Sequence, residues 1–79
     1  MEELVTFLAK SLVEKPEDVK VLNDGETDGI LTLKLTVAKE DMGRVIGKQG
    51  RIAKAIRAIV KSVAIREGKR VNVEIVDSL

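Results

Sequence analysis

Leu4, Phe7, Leu8 and Leu12 recur at helical spacing between Glu2 and about Glu14, with Glu2 and Glu3 in the first turn, where the helix dipole favours acids. The spacing predicts a first helix ended by Pro16, and it places Phe7 in the core. From Asp18 to Leu22, Val19 and Val21 share one face of a short strand, and the polar run Asn23 to Gly29 predicts a turn of about seven residues. Ile30 to Val37 sets Leu31, Leu33, Leu35 and Val37 against Thr32, Lys34 and Thr36, the period of a strand with one covered face. Met42, Val45 and Ile46 then suggest a short helix behind the acidic Glu40 and Asp41, closed by Gly47 as a left-handed cap. Ile52, Ile56, Ile59, Val60 and Val63 form one stripe from Arg51 to about Glu67, with Gly68 as its stop. Val71, Val73 and Ile75 alternate with Asn72 and Glu74 in a last strand, and a short disordered tail is expected from about Asp77.

The order is helix, strand, strand, helix, helix, strand: an α+β chain that reads as one domain over residues 1–79. The first two strands are joined by a turn and should be antiparallel. The last returns after two helices and should lie parallel to the Ile30–Val37 strand. All three helices then cover one sheet face, leaving Thr32, Lys34, Thr36, Asn72 and Glu74 towards water.

Composition removes several classes of function. The 79 residues contain no cysteine and no histidine, which excludes a disulfide scaffold and the usual zinc ligands. Ser11, Ser62 and Ser78 stand in no nucleophile pattern, so an enzyme is not expected, nor is a cofactor. No apolar run approaches the length of a membrane span, and the acidic start lacks the form of a signal peptide, so a cytoplasmic protein without membrane insertion is expected.

The net charge of +1 hides a strong division. From Gly43 to Arg70 nine cationic residues face Glu67 alone, a local charge of +8, which leaves −7 for the remainder. Concentrated like charge opposes folding, and its simplest use is to meet a polyanion.

Within this basic part lies Val45-Ile46-Gly47-Lys48-Gln49-Gly50-Arg51-Ile52-Ala53-Lys54-Ala55-Ile56. Gly-x-x-Gly by itself is a weak signal, because glycine makes up about 7% of residues. Here it separates two aliphatic helical patterns and carries cations. Glycines let the chain turn tightly and let a phosphodiester approach the main chain, while the opening N–H groups of the next helix favour an anion. A nucleotide-binding P-loop is excluded: three residues, not four, separate Gly43 from Gly47, and Gln49 replaces the Ser/Thr after the lysine.

The segment resembles the signature of the KH (K-homology) family, in which Val-Ile-Gly-x-x-Gly leads into an isoleucine-rich helix, although Ala53 stands where the commonest form has isoleucine. The element order is similar to the type II KH arrangement. The absence of Trp and Tyr argues against an RRM or an aromatic-lined OB groove. The resemblance implies a groove for single-stranded RNA; single-stranded DNA stays open as a ligand, because nothing in the residues identifies a reader of the 2′-OH. By the resemblance Gly47, Lys48, Gln49 and Gly50 hold the nucleic-acid backbone, and Arg44, Arg51 and Lys54 give electrostatic support. Val45, Ile46 or Ile52 form the groove floor or the core beneath it.

Glu40 to Arg57 and Gly68 to Asp77 resemble the small stand-alone bacterial KH proteins most closely. This implies a homodimer or a heterodimer with a larger KH-domain protein, and an RNA chaperone or post-transcriptional regulator linked to cell shape and envelope growth. The alternative is a basic interaction module for an acidic protein or anionic surface.

Overall fold

The computed structural model describes the backbone of all 79 residues and every side chain except that of Lys48. Glu2–Leu12 forms α1, Pro16–Asp18 a single 3₁₀ turn, Lys20–Thr27 β1, Ile30–Thr36 β2, Lys39–Arg66 α2 and Arg70–Ile75 β3. β2 is central: it pairs antiparallel with β1 and parallel with β3, the topology expected from the order of the elements.

The connection between β1 and β2 is tighter than the polar run suggested. Thr27 pairs with Ile30, so the turn is the two residues Asp28 and Gly29, both left-handed with φ of 53° and 78°. That is the backbone of a type I′ hairpin, for which Asp-Gly is a preferred pair. The rest of the run belongs to β1, which absorbs Gly25 (φ 91°) in a register shift between Asn23 and Glu26. The Asn23 side chain accepts a hydrogen bond from the Gly25 N–H at 2.8 Å and holds that irregularity. At its other end β1 starts at Lys20, because Pro16 to Asp18 are taken by the 3₁₀ turn.

The helices turn inward on faces shifted from the predicted stripes. In α1 the fully buried residues are Val5 and Ala9, flanked by half-buried Leu4 and Leu8, while Phe7 is 67% exposed. Phe7 is therefore not core. In the second half of α2 the buried line is Ala53, Ile56, Val60 and Ala64, and Ile59 is exposed. Both corrections have one cause. Alanine at the closest approach lets a helix backbone sit near the sheet, and the larger Leu and Ile side chains fill the flanks. These helices close over Leu33 and Leu35 of β2 and Val73 of β3. Each fully buried aliphatic side chain contributes about 1.5–3 kcal/mol of transfer free energy.

On the opposite sheet face Asn72 and Glu74 are exposed and Thr32 and Lys34 half-buried. Thr36 is buried there because the chain end crosses it: the Val76 N–H donates to the Leu35 carbonyl and the Thr36 hydroxyl to the Asp77 carbonyl. Gly68 ends α2 as predicted. With φ of 69° it donates to the Ile65 carbonyl, and Lys69 donates to that of Ala64, the paired bonds of a Schellman cap.

Candidate nucleic-acid interface

The span Lys39–Arg66 is not one uninterrupted right-handed helix. Gln49 and Gly50 have φ of 64° and 67°, and two consecutive left-handed residues cannot lie inside a right-handed helix of L-residues. The span is two right-handed arms joined at this turn, which gives the element order α-β-β-α-α-β. The left-handed residues follow Gly47 rather than include it, so the expected cap at Gly47 is replaced by a turn two residues later. The arm beginning at Arg51 starts anew, and its first N–H groups have no carbonyl of their own arm behind them.

Two clefts open on either side of this turn. The first, about 260 Å³, is lined by Ile46, Gly50, Ala53, Lys54, Arg57 and Ile75. The second, about 570 Å³, is lined by Gly43, Arg44, Gly47, Arg51 and Ile52. The predicted site residues are thus divided. Ile46, 55% exposed, and Lys54 face the first cleft with Gly50, whereas Arg44, Arg51 and Ile52 face the second with Gly47. Val45 is wholly buried and belongs to the core beneath both. Gln49 is exposed at the turn, and the Lys48 side chain lies outside the described residues.

Arg57, Ala53 and Ile75 line the first cleft although none of them belongs to the predicted set. Arg57 follows Lys54 by three residues and Ala53 by four, so helical spacing already put the three on one face. Its Nε–H donates to the Val73 carbonyl at 3.0 Å, tying the second arm of α2 to β3 and leaving further guanidinium donors. Ile75 reaches the site through the sheet topology, which helical spacing does not report.

The first turn of α2 is fastened to the segment after α1. Asp41, 2% exposed, accepts hydrogen bonds from the N–H groups of Glu14 and Lys15, both at 3.0 Å. Arg44 donates to the Glu14 carboxylate at 2.6 Å, and Lys15 pairs with Glu40. The hydrogen bond with Lys15 holds the Glu40 carboxyl below its ordinary range, and the same bond raises the Lys15 ammonium above its own.

A helix–turn–helix holding a Gly-x-x-Gly turn, set between a central strand and a parallel third strand, defines a KH domain of the type II order. A family model described as the KH domain of KhpA/KhpB matches residues 2–75, and the chain belongs to that family. It is 60% identical over 76 residues to the RNA-binding protein KhpA of Clostridium perfringens, covering 96% of this chain and 100% of that one. It is 57% identical over 77 residues to the RNA-binding protein KhpA of Listeria monocytogenes serovar 1/2a, covering 98% and 100%. With the RNA-binding protein KhpA of Bacillus subtilis it shares 44% identity over 77 residues, 98% of this chain and 94% of that one. Among the described residues no helix is long and apolar enough to cross a membrane.

Proposed function

We propose that this chain binds single-stranded RNA in the first cleft, as one KH domain over residues 1–79. The observation that carries the reading is the cleft itself. It has an aliphatic floor of Ile46, Ala53 and Ile75, cations Lys54 and Arg57 on its wall, and a left-handed turn at its edge. Flat bases lie against the floor, and the phosphodiester backbone passes over Gly47 to Gly50, supported by Lys54 and Arg57. Aliphatic floors and phosphate contacts discriminate weakly between sequences, so specificity is modest and single-stranded DNA is a second ligand. The relatives are RNA-binding proteins by name, which supports the same reading.

The resemblance noted in the sequence extends the proposal to a cytoplasmic, non-enzymatic RNA chaperone or post-transcriptional regulator linked to cell shape and envelope growth. It also extends it to pairing with a second copy or with a larger KH-domain protein. Joining two small grooves raises avidity through effective concentration.

The test is the double substitution Lys48→Asp with Gln49→Asp, which keeps both glycines and places two negative charges in the turn. RNA binding should be abolished with an unchanged circular dichroism spectrum. Parental affinity in a folded double variant would remove the turn from the binding site.

A further inference from the structure

The second cleft lies outside the proposed binding groove. It is the larger of the two, it opens across the turn from the first, and it carries Arg44 and Arg51 on its walls. Gly47 lines one cleft and Gly50 the other, and three residues of chain hold their Cα atoms within ~11 Å of each other. The two clefts therefore border the same turn, close enough for one strand to reach both. At Gly43 and Gly47, among the described residues and apart from the chain neighbours and the helix's own backbone, no atom lies within 4 Å of where a Cβ would be, so the helix surface there is open to close approach. The walls supply positive charge, and guanidinium groups bind phosphate with two parallel hydrogen bonds. Glu14 already supplies a carboxylate to Arg44, in an exposed pair of the kind that stabilises little and exchanges readily for a competing anion.

We infer that the second cleft is a phosphate-binding extension of the RNA track, in which Arg44 and Arg51 take the backbone of the same strand beyond the nucleotides held in the first cleft, with Arg44 exchanging Glu14 for phosphate. This rests on the RNA reading above. The continuity of the clefts across one turn favours the same strand over an acidic protein segment as occupant.

The experiment compares the affinities of the full chain for a four-nucleotide and a ten-nucleotide unstructured RNA, by fluorescence anisotropy at several salt concentrations. In Arg44→Ala and in Arg51→Ala the ten-to-four affinity ratio should fall by about threefold, and the salt slope for the longer RNA by about 0.7 for each phosphate no longer neutralised. The statistical advantage of the longer RNA is common to all variants and cancels. In Glu14→Gln the ratio should rise, because the competing carboxylate is gone. Ratios equal to the parent's in all three variants overturn the inference, as do equal reductions for the two lengths in the arginine variants, which would place the arginines on the first cleft. Lys54→Glu separates this failure from that of the parent reading. If it weakens both RNAs while the arginine variants keep the parental ratio, the groove stands and the extension falls. If the parent binds neither RNA, both readings fall together.

Discussion

Gln49 occupies a left-handed conformation that costs an L-residue about 1–2 kcal/mol, while Gly50 beside it bears no such cost. Gln49→Gly should therefore stabilise the protein, by about 1 kcal/mol after the greater flexibility of glycine in the unfolded chain is subtracted. In a domain of this size that is a rise in Tm of about 4–8 °C, measurable by thermal denaturation. Gly50→Val should act in the opposite direction by about 1–3 kcal/mol, because a β-branched residue is forced to positive φ, and RNA affinity should fall with it. A variant that loses stability but binds normally per folded molecule would make Gly50 a turn residue only. The turn was legible in the sequence from its glycines and flanks. Its left-handed positions were not, since the spacing offers two glycines for the role and nothing in Gln49 marks it.

The elements were legible where periodicity is strong and their inward faces less so. Large side chains dominate a hydrophobic pattern, whereas Ala9, Ala53 and Ala64 mark the closest approach in the folded chain. Ile56→Ala should cost about 2–5 kcal/mol, and Phe7→Ala, which empties no core site, should cost far less. Urea denaturation of the two variants checks this, and equal destabilisation would restore Phe7 to the core. Asp41 could be read as a helix-start acid, but its grip on Glu14 and Lys15 joins residues about 26 apart and left no local trace. Asp41→Ala should cost about 1–3 kcal/mol because two N–H groups are left without their acceptor. The Asp28-Gly29 turn was legible in principle, and the surrounding polar residues concealed it.

For the molecule as a whole, charge division and fold order were readable from the chain, while the meeting of Ile75 with Lys54 and Arg57 required the sheet topology. The pair Lys15–Glu40 gives a small dependence of stability on pH. Its contribution is complete between the two ordinary pKa values. It fades in acid as pH falls through the lowered Glu40 pKa and in base as pH rises through the raised Lys15 pKa. Comparing the parent with Glu40→Gln across pH should show a difference that is flat near neutrality and shrinks at both extremes, and a difference that grows in acid would contradict the pairing.

RNA binding in the first cleft is tested most sharply by titrating the isotope-labelled protein with a short unstructured RNA and following its backbone amide NMR signals. The largest shifts should fall at Ile46, Gly47, Gln49, Gly50, Ala53 and Lys54 and along Val73 to Ile75, with the amides of Leu22 and Thr32 on the far sheet face nearly still. Largest shifts on that far face, with the turn unmoved, would show that RNA binds elsewhere.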